Sequence, residues 1–182
     1  MHIYSFSKKI AILILALFAL FSTSLIFAKE PNIEDKLTVL QKEARLYRDQ
    51  GLAYQRNGDL EGALSFYQKA VELDPSFAVV FNDLGVIFEA KGQTDRAEES
   101  YLRAIAIDPA YLSVYTNLAL LYENKRELEK AAQFWKKRAE LGSPDDSWTK
   151  NARERAEEIS LILSKTPMQD LKEKEILRLT EK

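Results

Sequence analysis

FNDLGVIFEAKGQTDRAEESYLRAIAIDP, residues 81–109, carries the spacing that decides the fold. Moving 34 positions either way along the chain returns the same residue types. Phe81 aligns with Tyr47 and Tyr115, Gly85 with Gly51 and Ala119, and Phe88 with Tyr54 and Tyr122. Ala97 aligns with Ala63 and Ala131, and Tyr101 with Tyr67 and Trp135. Ala104 matches Ala70, and Asp108-Pro109 matches Asp74-Pro75. A fixed period of this length marks a solenoid of stacked supersecondary units, each unable to bury its apolar face alone.

Each copy reads as two helices, over roughly 44–57 and 60–73, 78–91 and 94–107, then 112–125 and 128–141. The small residues Gly51, Ala63, Gly85, Ala97, Ala119 and Ala131 let paired helices approach closely. The aromatic columns fill the space beside them, because large and small side chains must interdigitate to reach core density. All these aromatics are therefore expected in the core. Gly58 and Gly92 are placed to end the first helix of a pair in a left-handed cap. Asp74-Pro75 and Asp108-Pro109 predict the next helix start, a capping carboxylate followed by Pro at the first helical position. The third copy departs: Arg126 replaces the turn glycine, Arg138 stands in the alanine column, and Ser143-Pro144 restarts one residue late. Terminal repeats are expected to be atypical in this way.

The pattern Phe81-x2-Leu84-Gly85-x2-Phe88, with Ala97-x3-Tyr101 and Pro109, resembles the tetratricopeptide repeat. Tyr47-x2-Gln50-Gly51-x2-Tyr54 and Tyr115-x2-Leu118-Ala119-x2-Tyr122 give two further copies, so the resemblance covers 44–145 in repeats 44–77, 78–111 and 112–145. It implies an all-α, right-handed superhelical solenoid of three helix-turn-helix repeats with a C-terminal capping helix. It also implies a non-enzymatic scaffold that holds a peptide or protein segment in a concave groove lined by the first helix of each pair. Carried onto this chain, the groove takes Arg48, Asp49, Leu52 and Gln55 from the first repeat and Asn82, Asp83, Val86 and Glu89 from the second. Thr116, Asn117, Leu120 and Glu123 come from the third. Leu52, Val86 and Leu120 share one offset and form an apolar track; Gln55, Asn82 and Asn117 offer donors and acceptors to a peptide backbone. In members of the family that grip a C-terminal carboxylate, the matching positions are Arg48, Leu52, Asp83, Ser113 and Asn117. Only Arg48 keeps the required charge, and Asp83 would repel the ligand.

Beyond the repeats, Trp148, Ala152, Ala156, Ile159 and Leu163 form a stripe on a helix over 146–164, expected to cover the exposed face of the last repeat. Thr166-Pro167-Met168-Gln169 predicts a fresh start for a C-terminal amphipathic helix or tail over 165–182. Residues 29–43 form an N-terminal helical extension, in which Ile33, Leu37 and Leu40 share a face with Ala44 and Tyr47. That stretch falls short of the heptads a coiled coil needs and reads as an N-terminal cap.

Lys8-Lys9, the apolar run from Ile10, and Ala28 before a polar start have the layout of a signal peptide over 1–28. The alternative is an uncleaved anchor over 10–28, close to the ~20 residues that a membrane span requires. Removing residues 1–28 takes Lys8 and Lys9 from the 26 basic residues and none of the 28 acids, so the net charge falls from −2 to −4. Such a chain lacks the basic stripe of a nucleic-acid binder. The sequence contains no Cys, and its one His is His2. Zinc sites of the usual kind and Cys–His or Ser–His nucleophiles are thereby excluded, and no cofactor or metal is expected. Glu89, Glu123 and Asp83 could be considered for acid–base catalysis, but the pattern supplies no nucleophile or oxyanion donor beside them. The expectation is a monomeric protein, periplasmic or secreted, that binds a protein or peptide and touches membrane only through an uncleaved N-terminus.

Overall fold

The structure, a computed structural model, describes residues 33–180, with side chains through 165. The signal or anchor segment 1–28 lies outside the described residues. Seven helices and no strands occur among those described. They are α1 (Ile33–Arg56), α2 (Leu60–Leu73), α3 (Ala78–Ala90), α4 (Thr94–Ile107), α5 (Leu112–Asn124), α6 (Leu128–Leu141) and α7 (Ser147–Thr180). The chain is an all-α helical repeat solenoid, and α1–α2, α3–α4 and α5–α6 are its three pairs.

Two units divide the chain between Val39 and Leu40. In the first, α1 opens with Glu34 and Asp35, whose charges complement the positive end of the helix dipole. The Thr38 hydroxyl bonds back to the Glu34 carbonyl. The helix starts at Ile33, which is 82% exposed, and Leu37 and Leu40 are exposed as well.

In the second unit the period-34 columns form the core. Ala63, Ala97, Ala131, Tyr67 and Tyr101 are fully buried and Trp135 nearly so. The small column faces the large one. A Cβ built on Gly85 would lie 2.3 Å from Tyr101 Cε1, and one on Gly51 2.6 Å from Tyr67 Cδ1, too close for any side chain without movement. The inner first helices α3 and α5 pack on several sides, which is why Val80, Leu84 and Ile87, and again Val114, Leu118 and Leu121, are all buried. The second helices α2, α4 and α6 bury one stripe each. Tyr54 is 40% exposed, although it stacks on Phe66 at 5.1 Å. Its third-repeat counterpart Tyr122 is covered because Glu98 of the preceding repeat accepts its hydroxyl at 2.6 Å, and the first repeat has no predecessor.

Turns within pairs follow one design. The amide of Asp59 donates to the Tyr54 carbonyl, Gln93 to Phe88 and Glu127 to Tyr122, the six-to-one bond of a Schellman cap. Gly58 and Gly92 take φ +80° and +70° to allow it, and Arg126 is forced to φ +62° in their place. Turns between pairs differ from the expectation. Helices α3 and α5 begin three residues after Pro75 and Pro109, not at them. Asp74 accepts the Ser76 amide and Asp108 that of Ala110, so each aspartate closes a local Asx turn instead of capping a helix.

The C-terminal helix brings two corrections. Trp148 is 61% exposed and leaves the covering stripe, whereas Thr149 is fully buried in its stead, above Ala152, Ala156, Ile159 and Leu163. The cause is Arg138. Its guanidinium, 5% exposed in a column elsewhere held by alanine, donates to Thr149 Oγ1 at 2.8 Å and Asp146 Oδ2 at 2.7 Å. Asp146 in turn accepts the Thr149 amide and caps α7. Gly142 makes room, since a Cβ there would meet both Thr149 and Arg138 within 2.3 Å. The second correction is that α7 runs unbroken to Thr180, through Pro167, with no restart at Thr166. Pro167 removes one intrahelical bond, and the flanking Leu, Lys, Glu and Gln residues are strong helix formers that carry the helix past it.

Candidate functional site

The face of α1, α3 and α5 that the family resemblance singled out is held together by its own polar side chains. Arg48 Nε donates to Asp83 Oδ2 at 2.7 Å, and Asn117 Nδ2 to Asn82 Oδ1 at 2.8 Å. Both bonds join a residue to one 35 positions on, so they tie successive first helices side by side. Burial raises the Asp83 carboxyl above its ordinary range, and Arg48 pulls against that.

A second set of bonds runs within each repeat. Tyr67 donates to Gln55, Tyr101 to Glu89 and the Trp135 indole to Glu123, each at 2.6 Å and each across 12 residues. The same register in three copies makes this a built-in lock between the two helices of a pair. Burial, helped by neighbouring Asp83, pushes the Tyr67 hydroxyl up to about 12. Burial and then the Glu89 carboxylate raise Tyr101 further. In the third repeat the lock gains a partner from α7, since Arg155 Nε also donates to Glu123 Oε1 at 3.0 Å and its terminal nitrogen to Oε2. The Arg155 guanidinium, with Trp135 assisting, holds the Glu123 carboxyl below the usual range against the effect of burial.

The twelve candidates therefore separate. Gln55, Glu89 and Glu123 accept lock bonds, Arg48 pairs with Asp83, and buried Asn82 pairs with Asn117. Val86 and Leu52 are half-buried, with Val86 packed on the core; Thr116 is half-buried and Asp49 exposed. Leu120 is 46% exposed. The apolar track thus opens towards the third repeat. The three carboxylates weighed for catalysis all accept structural hydrogen bonds.

Four features of the structure were missed from sequence. The sequence shows the two columns of the lock, an acceptor at 55, 89 and 123 and a donor aromatic at 67, 101 and 135, but not the bonds between them. The Arg138 pair was half-signalled by the broken alanine column. Neither Arg155 nor the exposed Trp148 had any counterpart in the period to mark it. Away from this face, a cleft of about 920 Å³ runs between α6 and α7. Apolar Ala132, Ala139, Ala156 and Leu161 line it together with charged Lys136, Glu140, Arg153 and Glu157. Among the described residues no cluster suited to a metal ion occurs, and no helix is long and apolar enough to cross a membrane.

Sequence profiles of the tetratricopeptide repeat match residues 38–78, 48–112 and 100–133, more than half of the chain between them. No curated protein sequence matches. The fold is shared with solved tetratricopeptide domains. The domain of Arabidopsis OM64 superposes with TM-score 0.59 at 19% identity, covering 65% of this chain and 98% of that one. The first such domain of Spaghetti (RPAP3), solved with the HSP90 peptide SRMEEVD, gives TM-score 0.60 at 21% identity over 68% of this chain and 98% of that one. MamA gives TM-score 0.52 at 28% identity, over 54% of each chain. The chain belongs to the tetratricopeptide repeat family, whose fold is a protein-interaction scaffold.

Proposed function

We propose that this protein is a non-catalytic scaffold, exported from the cytoplasm, that captures a peptide or protein segment along the first helices of its three repeats. The observation that carries this reading is the state of that face. Seven of its polar side chains are already engaged within the protein, while Leu120 stands exposed at the open end of the track begun by Leu52 and Val86. A rigid, pre-paired surface with an exposed apolar anchor gains affinity by burying that anchor, with little ordering cost. Solenoid repeats present extended surfaces of this kind. A short peptide held there binds near the micromolar range, about −8 kcal/mol.

The test is Leu120→Asp. Capture of a peptide selected on the wild-type chain should fall at least tenfold while the melting curve changes little, because Leu120 is 46% exposed and lies outside the buried core cluster. Val86 cannot serve as the sole test, since it packs on the core and a charge there would unfold the repeat. Undiminished capture by Leu120→Asp contradicts the reading. Export rests on the signal-like segment 1–28, and a mature chain beginning at Lys29 in the native host is the expected result. An intact N-terminus would instead favour a membrane-tethered assembly factor using residues 10–28 as its anchor.

A further inference from the structure

We propose that α7 forms a fourth wall of the same binding face, and that its Trp148, with Leu120, seats an uncharged segment rich in aliphatic and aromatic residues. The inference rests on the scaffold reading above and names the chemistry of its partner.

Arg155 of α7 grips Glu123 of α5, which fixes one face of α7 against the candidate surface. Trp148 lies seven residues earlier on the same helix, about 20° short of two full turns, so it projects from that same face about 10.5 Å away. Helix α6 lies between α5 and α7 in the chain, and in a helix-turn-helix array that order sets α5 and α7 in the same sense. Seven residues before Glu123 is Thr116, which puts Trp148 alongside Thr116, about one turn from Leu120. The turn signals give a register one turn earlier: aligning Ser143-Pro144 with Asp108-Pro109 sets Trp148 opposite Ser113, near the start of α5 and about two turns from Leu120.

An indole 61% exposed and a leucine 46% exposed are the large apolar side chains that α7 and α5 offer here. The charges of this face are largely satisfied internally. Arg48 pairs with Asp83, and Arg155 pairs with both Glu123 and Glu158. A charged ligand would have to compete with these pairs, whereas an apolar one buries Leu120 and Trp148 without disturbing them. Large aromatic side chains are the residues that most often dominate such contacts. Recognition of an acidic tail is disfavoured, because the cation that would hold it is already engaged by Asp83.

A random dodecapeptide library displayed on phage and panned against the full chain supplies the probes. The peptides recovered are expected to carry no net charge and to bind Trp148→Ala about tenfold more weakly, with Trp148→Phe restoring most of the affinity. Trp135 and Trp148 are the two tryptophans and Trp135 is already buried, so under selective tryptophan excitation a tryptophan-free peptide should shift the wild-type emission to the blue and leave that of Trp148→Phe unmoved. If Leu120→Asp abolishes binding and Trp148→Ala does not weaken it, the fourth wall is refuted and the scaffold reading stands. If neither variant matters, or Leu161→Asp at an exposed position of the α6–α7 cleft is the variant that abolishes binding, both fall. Competition by the acidic peptide SRMEEVD would refute the uncharged partner.

Discussion

Gly85 shows how little freedom the small column leaves. The Tyr101 ring occupies the space a side chain would need, and its hydroxyl is fixed by Glu89. Gly85→Leu should therefore cost about 3 kcal/mol by overpacking, read as a lowered denaturation midpoint at unchanged slope. A wild-type midpoint would contradict the pairing of α3 with α4. Arg126 offers the opposite experiment. It holds the left-handed conformation that Gly58 and Gly92 hold without a Cβ. Arg126→Gly should stabilise the third repeat by about 0.5 to 1 kcal/mol, the relief of left-handed strain less the entropy glycine loses on folding. Thermal denaturation checks this, and a loss of stability would mean that the Arg126 side chain contributes more than its backbone costs. The sequence made both positions legible, because glycine and its replacement fall in one column. It hid the lock bonds, since Gln55, Glu89 and Glu123 are polar residues on a helix face, and nothing in that pattern says whether they meet water, a ligand or Tyr67, Tyr101 and Trp135.

Among the elements, the repeat helices were legible almost residue by residue, because burial on a strict period leaves a repeating apolar signal. Helix α7 was legible only in part. Its stripe through Ala152, Ala156, Ile159 and Leu163 packs on the core as expected, but it sits outside the period and its first turn is held by polar groups, Arg138, Asp146 and Thr149. A buried threonine reads as solvent-facing until its partners are known, and Trp148 reads as core for the same reason. This attachment carries a pH signature. The Arg138 guanidinium, with Thr149, holds the Asp146 carboxyl at about 2, below its ordinary 3.8. A depressed folded-state value means that the stabilisation is complete above 3.8 and is lost as pH falls towards about 2. Glu123, held down by Arg155, adds to the loss in the same direction. The melting temperature should fall over that window, and Asp146→Asn should lower it near neutral pH while flattening the acid dependence. An acid limb as steep in Asp146→Asn as in wild type would show that this carboxylate does not hold α7.

For the molecule as a whole, three locked repeats and a long terminal helix give a face on which seven polar side chains are engaged before any partner arrives. Stability in such arrays comes from each repeat and its nearest neighbours. The ties Arg48–Asp83 and Asn82–Asn117 belong to that nearest-neighbour coupling, and they lie on the face assigned to binding. The resemblance identified this face from sequence, but it could not rank its residues, because exposure depends on which side chains find partners across repeats. The measurement that bears most directly on the account is NMR mapping of the labelled full chain on titration with a peptide selected from the library. Shifts concentrated at Leu52, Val86, Asn117 and Leu120, together with the Trp148 indole N–H, are the predicted result. Shifts gathered instead around Ala132, Ala156 and Leu161 would place the ligand between α6 and α7 and contradict the assignment.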